Sequence, residues 1–432
     1  MGKASGALMA LLLFLNFPQT GPPAKPTNSS TVDSLYEAEA RAVAAYDKKD
    51  YAESVKLFDA AFSAGLNRPD DAYSAACSSS LVGATDKALA YLERAARLGF
   101  RAPDQMRVDP DLSSVRFDPR FRSILEQVRQ NEHSYLSAHG DPDRVAIVTS
   151  DIELFWRVYD RLQSSSNPET LIENEYFQKG SSGLQDFIFA RIHSPAALWK
   201  TINQRPKYYA AIRPETLRIK DMAPRIRSSF RKMKELYPDS TFPDLYFLIG
   251  RMNSGGTTGP SGLLVGADMF GKGLVFPADE LDEWLRTAVD TVSNIPYTVA
   301  HELIHYQQKT EGKTLLAAAI QEGSADFIGE LISGDALNKE VRAYGLQHEK
   351  ELWAQFTKEM HGTDTSHWLY EGKVTNGRPA DLGYFIGYRI AEAYYNQSPN
   401  KKKAIAAVLN EDADKLLNDS GYTGRLKNTL DH

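Results

Sequence analysis

Two histidines, His301 and His305, stand four residues apart in IPYTVAHELIHYQQK (295–309), and Glu302 follows the first. On a helix, residues i and i+4 share a face one turn apart. Both imidazoles can then reach one ion, and a neighbouring glutamate can act as general base on a metal-bound water. The chain has only nine histidines in 432 residues, and a catalytic zinc usually takes a third protein ligand.

TLLAAAIQEGSADFIGELI (314–332) reads as a second, largely buried helix. If the two helices form an antiparallel hairpin, the register that sets Glu322 level with His305 also sets Asp326 level with His301. Its midpoint falls at Lys313–Thr314, inside the intervening KTEGKT, where Gly312 is expected to end the first helix. Glu322 is thus the candidate third metal ligand. Asp326 is the candidate acceptor for the non-ligating nitrogen of His301, a role that orients metal-bound imidazoles. Zn²⁺ is the cofactor this donor set suggests. Gly323 and Ala325 are small enough to let the helices approach closely. Tyr384 and Tyr388, also four apart, are candidate oxyanion donors, with His361 and His367 as alternatives. Gly383 and Gly387 give the tyrosine helix a small packing face.

HExxH followed by a helix bearing E-x-x-x-D resembles the gluzincin, thermolysin-like metallopeptidases, although seventeen residues from His305 to Glu322 is shorter than usual there. The runs HELIHYQQ, QEGSADFIGELI and RPADLGYFIGYRIAEAYY resemble more closely a little-characterised bacterial family of predicted zinc-dependent proteases, over roughly 145–425. The resemblance implies a zincin-like domain hydrolysing peptide bonds in a peptide or protein substrate, with Glu302 as general base. The competing reading is a non-catalytic scaffold that binds a partner and carries a vestigial metal site.

The fold class expected is α+β, mainly helical, with a small sheet and an active-site helix hairpin in residues 145–432. YAESVKLFDAAFSAG (51–65) matches TDKALAYLERAARLG (85–99) at an offset of 34 residues, pairing Ala61 with Ala95 and Gly65 with Gly99. That period of paired helices resembles tetratricopeptide repeats, so residues 33–135 read as a helical-repeat domain able to bind a protein partner. VAIVTSDIELFWRVYDRL opens the second domain as a strand, an Asp151 turn or cap, and a helix. DLYFLIGRMNSGGTTGPSGLLVGADMF (244–270) reads as a β-hairpin with a mobile glycine-rich connection, able to add an extended peptide at its edge.

A net charge of −6 with 25% charged and 42% hydrophobic residues describes an ordinary globular chain without the basic face that nucleic acid requires. The apolar run from Ala7 to Phe17 is too short to span a bilayer and reads as a signal peptide, residues 1–24, followed by a linker, 25–32. The single cysteine, Cys77, allows no intramolecular disulfide and no lipid anchor near the mature N-terminus. It reads as a small buried residue. A periplasmic or secreted bacterial protein with no stable membrane anchor after cleavage follows from these features.

Overall fold

The computed structural model describes residues 35–309, 312–335, 338–370 and 377–428. The expected leader and linker lie outside them. Two compact units form, one of Met1–His139, Ser166–Lys200 and Gly259–Ser261, the other of Gly140–Ser165, Thr201–Thr258 and Gly262–His432. The architecture is mainly helical with a small mixed sheet.

The first unit begins with α1 (Leu35–Asp47), α2 (Tyr51–Ser63), α3 (Pro69–Leu81), α4 (Thr85–Arg97), α5 (Pro103–Val108) and α6 (Pro119–Ala138). Each of α1 to α4 has 13 residues; α3 starts 34 residues after α1, and α4 starts 34 after α2. Gly65 and Gly99, one such interval apart, end α2 and α4 with φ of +115° and +97°, a backbone region open to glycine. Ala42, Ala61, Ala72, Ala76, Ala88 and Ala95 are buried between the helices with Phe58 and Leu92. Small side chains at these contacts let the helix axes lie close. Cys77 is buried in the same core, its thiol 3.7 Å from Asp109 Oδ2. Residues 166–200 add α8 (Pro168–Ile172), α9 (Ser182–Phe187) and the start of α10 (Pro195–Gln204).

The second unit carries β1 (Ile147–Val148), α7 (Ser150–Leu162), α11 (Pro206–Leu217) and α12 (Ala223–Leu236). Then come β2 (Asp244–Leu248), β3 (Thr257–Gly259), β4 (Gly262–Gly266) and α13 (Glu283–Ala288). α14 (Ile295–Gln307), α15 (Leu315–Ser333), α16 (Lys339–Phe356) and α17 (Leu382–Gln397) precede α18 (Lys401–Asn410), α19 (Ala413–Ser420) and α20 (Tyr422–Asn428). Asp151 lies buried in the first turn of α7, with Thr149 at the cap position, so it is not a turn residue.

The glycine-rich region departs from the expected hairpin. The strands run in the order β1-β2-β4-β3, and β2 pairs with β4 in parallel, from Asp244 opposite Gly262 to Leu248 opposite Gly266. The physical reason is visible in the residues. LYFL and GLLVG are buried at every position rather than alternately, the pattern of parallel strands covered on both faces. The connection is also pinned. The buried Asp268 carboxylate accepts hydrogen bonds from Gly250 N at 3.1 Å and Met252 N at 2.6 Å, and Ser254 Oγ donates to Gly256 O at 2.9 Å.

α14 has Pro296 in its first turn, where the missing N–H costs nothing. It ends at Gln307, before Gly312. Gly312 instead lies where a Cβ would overlap that of Ala317. Thr314 caps α15, its side chain accepting from Ala317 N at 3.2 Å. Gly329, rather than Gly323, lies against the backbone of α14 at His301. Gly323 and Gly387 face each other across α15 and α17. A Cβ on Gly323 would overlap the backbone at Gly387–Tyr388, and one on Gly387 would overlap the carbonyl of Ala319.

Because both obstacles are backbone, neither can yield by a rotamer change. Gly387→Ala and Gly323→Ala are each expected to lower unfolding free energy by about 3 kcal/mol, the upper range for overpacking. Urea denaturation checks this, and near-wild-type midpoints would contradict the close packing.

Candidate metal centre

α14 and α15 run antiparallel, with His301 beside Asp326 and His305 beside Glu322. His301 Nδ1 donates to Asp326 Oδ1 at 2.8 Å, since a carboxylate can only accept. Asp326 Oδ2 in turn accepts from Asn338 Nδ2 at 2.6 Å. His305 Nδ1 donates to Gln308 Oε1 at 2.8 Å, while Gln308 Nε2 donates to Gln321 O and Ser324 Oγ at 2.8 and 3.0 Å. These outer bonds place the Nδ1 proton on each ring and leave both Nε2 atoms as lone-pair donors.

The two Nε2 atoms lie 2.9 Å apart, and Glu322 Oε2 lies 3.5 Å from that of His301 and 3.3 Å from that of His305. Glu322 is 1% exposed, and its Oε2 has no hydrogen bond among the described residues. A tetrahedral ion with ligands at roughly 2.0–2.1 Å needs donors about 3.3–3.4 Å apart. Two of the three edges already sit near that value, and the third has to open by a few tenths of an ångström. The donor set therefore fits a zinc-class ion.

The electrostatics of the three side chains point the same way. Burial opposes charge on His301, but the hydrogen bond to Asp326 and the negative charges of Asp326 and Glu322 outweigh it and raise its pKa well above 6.5. His305 is raised by the Glu322 charge against the same burial cost. Burial works against ionised Glu322 as well, yet the two imidazoles hold its carboxyl well below 4.5. Positive charge on the imidazoles and negative charge on Glu322 thus favour each other.

Glu302 is 7% exposed, its Oε2 also lacks a hydrogen bond among the described residues, and Gly256 presses against its carboxylate. It stands outside the group of donor atoms that converge within 4.8 Å, which is His301, His305 and Glu322. Tyr384 stacks over His301, centroids 6.3 Å apart at 21°. Tyr388 is directed elsewhere: its hydroxyl donates to Glu330 Oε2 at 2.7 Å, and the Arg342 guanidinium lies 4.4 Å over its ring. His361 and His367 are exposed and lie 3.6 Å from Asp414 and 3.8 Å from Glu359.

Two contributors escaped the sequence reading. Gln308 follows His305 by three residues, so helical spacing could have flagged it. Tyr370, whose hydroxyl donates to Glu322 Oε1 at 2.6 Å, comes from an irregular segment with no periodicity to mark it. A second cluster, Cys77, Asp109 and Asp111, also converges. There Tyr73 donates to Asp109 Oδ2 at 2.6 Å and Tyr46 donates to Asp111 Oδ2, so these two oxygens already have protein partners.

Residues 142–424, or 283 of 432, match the family model of gliding motility protein GldB. The chain belongs to that family. No curated protein and no solved structure matches it. The GldB match overturns the resemblance to the gluzincins and to the family of predicted zinc-dependent proteases, and with it the zinc peptidase activity and the hydrolase class; it leaves the peptide substrate without support. The physical reason for the error is that HExxH with a downstream glutamate specifies a donor set, and a donor set does not specify a reaction. The general-base role for Glu302 and the oxyanion role for Tyr384 and Tyr388 depended on that activity and are not carried forward.

In chelator-treated protein, Asp326→Asn should bring the His301 titration down toward 6.5, read by NMR of the imidazole. A raised folded pKa stabilises below the unfolded value and is lost as pH rises through the folded one. The substitution should therefore cost about 1–3 kcal/mol at a pH below the wild-type His301 titration and less at a pH above it. Equal losses at both pH values would contradict the assignment.

Proposed function

We propose that this protein is a non-catalytic, envelope-associated component of the gliding-motility type. In this reading the helical first unit recruits a protein partner, and a zinc-class ion joins α14 to α15 in the second. The observation that carries the metal reading is Glu322 Oε2, without a hydrogen bond among the described residues, facing two imidazole lone pairs. Family membership supports the motility role and envelope association. The apolar start, Ala7–Phe17, supports export toward the periplasm. Among the described residues, no helix is long and apolar enough to cross a membrane.

Burial supports a bracing role for the ion. His301, Glu302 and Glu322 are 9%, 7% and 1% exposed, and Gly256 closes over Glu302. An ion held by side chains of both helices joins two elements that contribute to one core. The repeated helix pairs of the first unit support partner binding, because such arrays present an extended surface.

Purified protein should hold about one zinc per chain. Saturating ion should add about 4 kcal/mol of stability when free zinc exceeds Kd a thousand-fold, seen as a thermal midpoint that falls on chelation. In cells, Glu302→Gln should preserve surface motility while deletion of residues 33–130 abolishes it. Sub-stoichiometric zinc would remove the brace; motility lost in Glu302→Gln, or retained after the deletion, would remove the scaffold.

A further inference from the structure

Tyr370 occupies a conformation that needs a reason. Its φ is +62°, uncommon for a bulky residue and costing on the order of 1–2 kcal/mol unless its surroundings demand it. The segment leading to it is bound to α15 throughout. Leu315 N donates to Gly362 O and Leu316 N to Met360 O, each at 2.8 Å, so these carbonyls satisfy the exposed first turn of α15. Trp368 and Leu369 are buried, and Gly383 N donates to Trp368 O at 2.8 Å, fastening the strap to α17 as well. The strap then delivers the phenol of Tyr370 to Glu322, two turns further along α15. The Tyr370 ring meets Tyr384 edge-on at 6.5 Å, and Tyr384 stacks over His301.

The two oxygens of Glu322 are thereby divided. Oε1 accepts from the phenol at 2.6 Å, and Oε2 faces both imidazole nitrogens. Each of the three metal-facing side chains has its far atom held by a separate residue: Asp326 for His301, Gln308 for His305 and Tyr370 for Glu322.

We propose that Tyr370 is a positioning residue which confines Glu322 to one-oxygen coordination of a zinc-class ion and couples the 357–370 strap to the metal. This rests on the metal reading given above. With the phenol in place, Oε1 is committed and the ion takes three protein donors in a tetrahedral arrangement. Without it, Oε1 is free to swing in and bind alongside Oε2, raising the coordination number.

The test compares wild type, Tyr370→Phe, Glu322→Gln and Tyr388→Phe. Zinc affinity is read by competition with a chromophoric chelator, and geometry by the visible spectrum of the cobalt(II)-loaded protein. Tyr370→Phe should bind zinc about 10–100-fold more weakly, and its cobalt bands should weaken and shift as coordination rises. Glu322→Gln should lose binding, and Tyr388→Phe, which removes a phenol from the separate Glu330–Arg342 cluster, should match wild type. Tyr370→Phe with wild-type affinity and an unchanged cobalt spectrum overturns the role of Tyr370 while leaving the metal site standing. Wild type that binds no metal removes the reading beneath it. Should Tyr370→Phe unfold without metal, Tyr370→His, which retains a ring N–H donor, is read in its place. Tight binding with the wild-type spectrum then supports the positioning role, and loss of binding in a folded Tyr370→His counts against it.

Discussion

Three lone pairs pointing at one another dominate the second unit. The outer hydrogen bonds of His301 and His305 consume the Nδ1 protons and turn both Nε2 atoms inward, toward a carboxylate oxygen with no hydrogen bond among the described residues. Such an arrangement is repulsive unless a cation sits among the donors, and burial removes the water that would otherwise screen it. The helix pair that creates the convergence is therefore held under a conditional stability.

Everything around the pair serves to keep those directions fixed. Gly329 lets α15 approach α14 at His301. Gly323, adjacent to Glu322 in sequence, lets α17 approach α15 from the other side. Glu322 is thus carried on a helix gripped on two faces, which leaves little freedom of rotation. The buried Asp268, its carboxyl pushed up to about 6 by burial and held by backbone N–H groups, stations the 250–256 loop over Glu302.

Much of this was legible in the residues because it depends on helical spacing. The positions of α14 and α15, and the meeting of His301, His305, Glu322 and Asp326, followed from i, i+4 periodicity and one turn. The interval of 34 residues likewise appears in the starts of α1 to α4. What escaped shares a cause: it depends on contacts distant in sequence and set by no period. Tyr370 reaches Glu322 across 48 positions. The parallel pairing of β2 with β4 is decided by burial on both faces, and a glycine-rich connection looks the same whether it closes a hairpin or crosses over. Function lay further off again, because a ligand triad is compatible with catalysis and with bracing alike. The match over 142–424 decided between family readings that the motif could not separate.

The equal lengths and spacing of α1 to α4 have a consequence for how the first unit can change over generations. When each helix pair meets its neighbour through the same small-residue contact, stability is close to a sum of nearest-neighbour terms. A duplication or loss of one whole pair then alters the reach of the array without disturbing the geometry at either end. An insertion of any other length would break the register at Gly65 or Gly99. The array is thus a part whose span can be inherited in whole steps, while α14 and α15, whose side chains must stay level with one another, have no such latitude.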